Sequence, residues 1–161
     1  MMGKTLVAYL SASGTTADVA RTVADVTNGD LYEIVPEKRY SEADLNWRDP
    51  KSRCSVENGD PKARPAIEGD VDVSGYDVVF VGYPIWWGVA PRIVDSFLEG
   101  HDFSGKTIVP FCTSGGSGVG GSDKKLHKDV GSDVEWKPGK LIDSADGATV
   151  AKWVSSLGLR P

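Results

Sequence analysis

Residues 5–16 read TLVAYLSASGTT, an apolar run that breaks into small hydroxylated residues. The first half, 5–10, has the β-branched and apolar pattern of a buried strand. The second half sets Ser11, Ser13, Thr15 and Thr16 around Gly14, and from Thr15 onward Val19, Ala20, Val23, Ala24 and Val26 recur at helical spacing until Asn28-Gly29 stops them. A strand that turns at once into a helix leaves the helix's first N–H groups aimed at one spot, where the helix dipole favours an anion. No Lys or Arg stands between Ser11 and Ala20, so the donors to that anion are neutral. A single Ser or Thr caps an ordinary helix. Four hydroxyls in six residues exceed that need.

Working outward, 31–35 is a second short strand ended by Pro36, and with one helix between the two strands they should be parallel neighbours joined by a right-handed crossover. Residues 77–83, DVVFVGY, form the clearest strand, apolar enough to be covered on both faces. Pro84-Ile85-Trp86-Trp87-Gly88 follows, then a helix over 91–98 with Pro91 in its first turn. A strand over 107–112 leads into Thr113-Ser114-Gly115-Gly116-Ser117-Gly118 and a helix over 122–130. A short strand at 133–136, continued at 140–142, precedes a last helix over 146–157. This alternation predicts an α/β fold, a doubly wound, open parallel sheet with helices on both faces. Residues 36–76 interrupt it with four prolines, many charges and no strong period; a short helix over 41–47 is expected, and Tyr40 and Trp47 are placed to pin this long loop to the body.

The chain has 161 residues, enough for one domain with its own core and no need of disulfides or metal. A net charge of −5 disfavours nonspecific binding to nucleic acid or to anionic lipid, and favours a basic partner. Cys54 and Cys112 stand far apart, as suits a reducing compartment, and His101 and His127 form no ligand pair, so no metal site is expected. The apolar run at 5–10 is too short for a secretory signal, and no stretch approaches a membrane span. A cytoplasmic protein is the expectation.

Loops 11–16, 84–88 and 113–118 each follow the C-terminal end of a predicted strand. In a doubly wound sheet those ends share one edge, where ligands bind at the switch in strand order. The first loop holds an anion, the second offers the flat faces of two tryptophans, and the third offers backbone N–H groups. An anionic, flat heteroaromatic ligand suits all three. At this level of detail SASGTT, YPIWWGVAPRIVDSFLE and PFCTSGGSGVG together resemble the flavodoxin-like proteins, in particular a bacterial branch whose second loop reads PIWW. The resemblance covers nearly the whole chain. It implies a five-stranded sheet in order 2-1-3-4-5 and noncovalently bound FMN. It also implies that Ser11, Ser13, Gly14, Thr15 and Thr16 hold the FMN phosphate, that Pro84, Ile85, Trp86, Trp87 and Gly88 flank the isoalloxazine, and that Thr113, Ser114, Gly115, Gly116 and Gly118 close around its pyrimidine side. In the better-known flavodoxins the third loop carries an aromatic residue; here it is almost all Gly and Ser.

Two glycine motifs point elsewhere. Residues 100–107 match GxxxxGK[ST], but that loop must leave a strand and open a helix, and here it leaves a helix and enters a strand. Gly116, Gly118 and Gly121 match GxGxxG, yet one further strand and helix are too few to complete a dinucleotide-binding half. The function expected from the resemblance is electron carriage by FMN between redox partners, one of them a protein with a basic surface. The alternative is an NAD(P)H-dependent FMN reductase of quinones or similar small acceptors.

Overall fold

The computed structural model describes residues 4–10, 14–46, 48–60, 62–85, 90–113, 126–137, 139–142 and 146–157. In chain order its strands are β1 (Lys4–Tyr9), β2 (Asp30–Glu33), β3 (Val35–Pro36), β4 (Ile67–Glu68), β5 (Tyr76–Pro84), β6 (Thr107–Thr113), β7 (Glu135–Trp136) and β8 (Lys140–Leu141). The helices are α1 (Thr15–Thr27), α2 (Arg53–Gly59), α3 (Arg92–Glu99) and α4 (Gly147–Ser156), with one 3-10 turn at His127–Asp129.

The main sheet is parallel and ordered β2-β1-β5-β6, with β7 and β8 both against β6. Counting β7 and β8 as two pieces of one strand recovers the expected order 2-1-3-4-5. Between the pieces the ladder continues through Lys137, whose N–H donates to the Ile108 carbonyl at 3.0 Å.

Strand side chains alternate between faces. Leu6, Ala8, Val79, Val81, Tyr83 and Ile108 pack under Ile93, Val94, Phe97 and Leu98 of α3. Val7, Tyr9, Val78, Phe80, Val109 and Phe111 pack under α1 and α4, where Trp153 meets Phe80 edge-on at 5.7 Å between ring centres. Gly82 lies at the centre of this second layer. A Cβ there would stand 2.3 Å from the Phe111 ring, so the residue has to be Gly.

The 36–76 segment differs from expectation. The strand expected over 31–35 is two pieces, and β3 turns away to pair antiparallel with β4 as a separate two-stranded sheet. In place of a helix over 41–47 there is a single turn, in which Ser41 and Asp44 cap one another: the Ser41 N–H donates to Asp44 Oδ2 at 2.9 Å and the Asp44 N–H to Ser41 Oγ at 3.1 Å. The reciprocal bonds satisfy the turn without extending it. The segment's helix is α2, capped by Ser52, whose side chain accepts from the Ser55 N–H. Tyr40 pins the segment to itself, stacking 4.0 Å from the Arg53 guanidinium and donating its hydroxyl to Glu57 at 2.5 Å. Trp47 lies outside the described residues. Of the helix expected over 122–130, only 126–130 is described, and there the chain makes the 3-10 turn. No helix among the described residues is long and apolar enough to cross a membrane.

Candidate functional site

Backbone hydrogen bonds align the strand ends along one edge. The Leu10 N–H donates to the Gly82 carbonyl at 2.9 Å, Ile34 to Tyr9 at 2.7 Å, Ile85 to Thr113 at 3.0 Å and Ile142 to Cys112 at 2.8 Å. Each bond joins the last residue of one strand, or the one beyond it, to its neighbour, so the three candidate loops leave the sheet side by side.

Six of the candidate residues are described: Gly14, Thr15, Thr16, Pro84, Ile85 and Thr113. The others, Ser11, Ser13, Trp86, Trp87, Gly88, Ser114, Gly115, Gly116 and Gly118, lie outside the described residues, as does the GxGxxG glycine Gly121. Gly14 is the N-cap of α1 in the left-handed region, φ +96°, where an L side chain is strained, and as a glycine it brings no side chain of its own to the cap. Its carbonyl accepts the first helical bond, from the Asp18 N–H at 3.1 Å. Asp18, in the first turn, could compete with an anion; its carboxylate instead takes Arg21 at 2.8 Å on the exposed side. Thr15 is exposed at the helix start.

Thr16 and Thr113 are 2% and 5% exposed, and their Oγ1 atoms are 2.7 Å apart. This bond joins the first loop's helix to the start of the third loop across the end of β5. One hydroxyl donates to the other, and the second hydroxyl's proton stays available for a further acceptor. Sequence reasoning placed both threonines at the site but did not pair them, because periodicity says nothing about which hydroxyls of distant loops meet. Pro84 and Ile85 are half-buried at the end of β5, where the tryptophan loop begins.

A family model described as Flavodoxin matches residues 4–157. The chain belongs to the flavodoxin family. Its sequence is 48% identical to a candidate flavoprotein of known crystal structure from Bacteroides eggerthii, with a TM-score of 0.93 over 98% of this chain and 99% of that one. A flavoprotein from Lactobacillus acidophilus, solved in complex with FMN, is 22% identical with a TM-score of 0.62 over 94% of this chain and 99% of that one. Oxidised flavodoxin 2 from Bacillus cereus is 16% identical with a TM-score of 0.56, covering 96% and 97%. The last two show the shared fold. No curated protein matches.

Around this flavodoxin's sheet edge, burial raises the Tyr9 phenol, with Glu33 adding to it, so Tyr9 stays neutral. Asp146 caps α4, accepting from the Thr149 hydroxyl at 2.7 Å and the Thr149 N–H at 3.1 Å, and these bonds hold its carboxyl below the usual range. The residues of the GxxxxGK[ST] match sit far from such an edge: Lys106 donates to the Tyr76 carbonyl at 2.7 Å, at the opposite end of β5. Neither histidine joins the described site residues. His101 bonds the Phe97 carbonyl at 2.8 Å and Asp70 at 2.7 Å, and His127 lies 4.2 Å from the Trp136 ring centre.

Proposed function

We propose that this flavodoxin holds FMN noncovalently at the C-terminal edge of its sheet and carries electrons, one or two at a time, between redox partners. The observation that carries this reading is the Thr16–Thr113 bond, which ties the first turn of α1, after the first loop, to the end of β6, where the third loop begins. Neutral hydroxyl and N–H donors at a positive helix end suit a phosphate, and they suit FMN's terminal phosphate without a counter-cation. Ser11, Ser13, Thr15 and Thr16 would supply those donors, with Gly14 making the turn. Trp86 and Trp87 would stack on the ring system, and Ser114, Gly115, Gly116 and Gly118 would reach its polar edge. We read the Pro84–Gly88 sequence as the mark of a PIWW branch of the family.

Bound FMN supplies the redox chemistry, and the chain's part is to bind it, orient it and set its surroundings. A net charge of −5 disfavours adding negative charge to the cofactor and favours a partner with a basic surface. Two buried cysteines outside any disulfide, Cys54 and Cys112, suit the reducing cytoplasm.

The second reading is an NAD(P)H-dependent reductase of quinones or similar small acceptors. It draws on the 36–76 segment, which is fastened to α3, the helix that leaves the tryptophan loop: Arg92 Nη2 donates to the Asn58 carbonyl at 2.9 Å and Arg64 makes two bonds of 2.9 Å to Glu99. Adding NAD(P)H to the FMN-loaded protein with no other reductase separates the two. Stable flavin colour supports the carrier, and bleaching within seconds supports the reductase.

A further inference from the structure

At the C-terminal end of α3 a histidine joins the helix to the 36–76 segment. His101 Nδ1 is 2.8 Å from the Phe97 carbonyl oxygen, and Nε2 is 2.7 Å from Asp70 Oδ1. The ring leans on Phe97 and Phe103, at 4.8 and 6.1 Å between centres, and the side chain is 13% exposed. A carbonyl only accepts, so Nδ1 carries a proton; an ionised carboxylate only accepts, so Nε2 carries one as well. A neutral imidazole has a single N–H, and either tautomer would set a nitrogen lone pair against an oxygen at hydrogen-bond distance. The arrangement therefore requires the imidazolium, which the negative end of the α3 dipole also favours.

The other charged and titratable groups around the ring have partners of their own. On one side His101 shares a cleft of about 420 Å³ with Tyr32 of β2, Arg64 of the segment and Glu99 of α3. Arg64 gives two bonds of 2.9 Å to Glu99, and burial raises the Tyr32 phenol, with Asp70 adding to it, so Tyr32 stays neutral. On the other side His101 shares a cleft of about 580 Å³ with Asp72 of the segment and with Asp102 and Lys106, which precede β6. Asp72 accepts from the Ser74 N–H at 3.0 Å, Asp102 from the Ser104 hydroxyl at 2.7 Å, and Lys106 donates to the Tyr76 carbonyl at 2.7 Å. Asp70, Gly100 and His101 line both clefts, so the His101–Asp70 bond stands between them. The His101 bond first, and the Val71 N–H at 2.8 Å second, hold the Asp70 carboxyl below the usual range.

We propose that the His101–Asp70 bond is an acid-closed latch: with both ring nitrogens protonated it fastens residues 69–72 to the end of α3 and separates the two clefts, and loss of one ring proton frees that run and opens one cleft into the other. His101 is charged in the closed state, so the latch is fully present in mildly acidic solution and is lost as pH rises and the ring gives up a proton. At the acid end it lasts until pH falls through the lowered Asp70 value, below the ordinary carboxylate range. Ile67 and Val73 stay packed on the core at either end of the run, and Asp70 is 81% exposed, so the release is local. The latch does not depend on the flavin reading.

The test uses the full-length chain at about pH 5.5 and about pH 8.5, on either side of the range in which an imidazole changes charge. In the wild type, nitrogen NMR of His101 should show both ring nitrogens protonated at the lower pH and one at the higher. A single protonated nitrogen at the lower pH overturns the latch, and this measurement needs no variant. Urea unfolding of the wild type and of Asp70→Ala, a change at an exposed position, gives the ratio of their unfolding constants at each pH. That ratio should be about fivefold further from one at the lower pH than at the higher, because the Val71 bond, His127 and every other titrating group are common to both pH values or to both proteins. An equal ratio at the two pH values overturns the latch. Proteolytic nicking within 69–72 reads the release itself: relative to Asp70→Ala, the wild type should be nicked about fivefold more slowly at the lower pH and at the same rate at the higher. Wild type and variant nicked alike at both pH values would overturn the release.

Discussion

In the central sheet the contacts are apolar and closed to water on both faces, with Val7, Ala8, Val79, Phe80, Val81, Ile108 and Val109 all at 0% exposure. In the 36–76 segment they are polar and directional: Arg53 stacks on Tyr40, bonds Glu57 at 2.6 Å and reaches the Lys38 carbonyl, while Ser41 and Asp44 cap one turn. The segment's ties to the body are partly apolar, through Ile67 and Val73, and otherwise polar, through Arg64 to Asp95 and Glu99 and through the Asn58 carbonyl, which accepts from Arg92. Burial of apolar surface supplies the sheet's stability, whereas each polar bond in the segment replaces a bond to water and contributes little net. The sheet should therefore behave as a rigid platform that brings the flavin-side loops together, and the segment as an attachment that opens at lower cost.

The substitution expected to do most damage is Gly82→Ala, since its Cβ would enter the space of a buried aromatic ring that is itself wedged against Trp153. A cost of about 3 kcal/mol, seen as a drop of roughly 6–12 °C in melting temperature, is expected. A fall within a degree of wild type would show that the sheet has slack there.

Next comes the Thr16–Thr113 bond. Thr16→Val or Thr113→Val leaves one buried hydroxyl unpartnered and should cost about 1–3 kcal/mol. The double substitution should cost less than the sum of the two, by a double-mutant cycle on thermal or urea unfolding. Strict additivity would mean that the two hydroxyls do not interact. Arg53→Ala should act on the segment alone, releasing Tyr40 and Glu57. Global melting should move by less than about 1 kcal/mol, while amide exchange in α2 accelerates and proteolytic nicking within 36–76 increases. If α2 exchange instead tracks the sheet in both proteins, segment and platform unfold as one unit.

The smallest effect is at Asp146, whose carboxyl is held below its ordinary value by Thr149. Its contribution to the α4 cap is present above the ordinary carboxylate value and is lost as pH falls through the lowered one, that is, below about pH 4. Asp146→Asn retains a cap at all pH values, so acid melting curves of the two proteins should converge above that range and separate below it.

The contrast between the two regions also explains what the sequence made legible. β1, β5 and β6 are runs with nearly every residue apolar, and α1, α3 and α4 follow from helical spacing and from Asn28, Pro91 and Asp146 at their ends. The edge where the loops meet follows from that alternation alone. Helix α2, RCSVENG, was not legible: its stabilising elements are the Ser52 cap, the Arg53–Glu57 pair and Tyr40, a contact from outside the helix, rather than an apolar stripe. The β3–β4 pair escaped notice because a two-residue strand has no period to read. At the site, residue types were legible and their partners were not. Thr16 and Thr113, 97 positions apart, meet only because β1, β5 and β6 lie side by side. Asp95 and Asp129 likewise come to one cation only through the fold, 3.7 and 3.8 Å from Arg64.

The central claim is that the first loop anchors a phosphate and that the three loops close on the flavin bearing it. An equilibrium titration of the flavin-free protein with FMN, followed by flavin fluorescence and repeated with riboflavin, tests this most directly. Saturation at one FMN per chain, with FMN bound at least about a hundredfold more tightly than riboflavin, is the expected result. Equal affinity for the two flavins, or fluorescence that stays that of free FMN throughout, would contradict it.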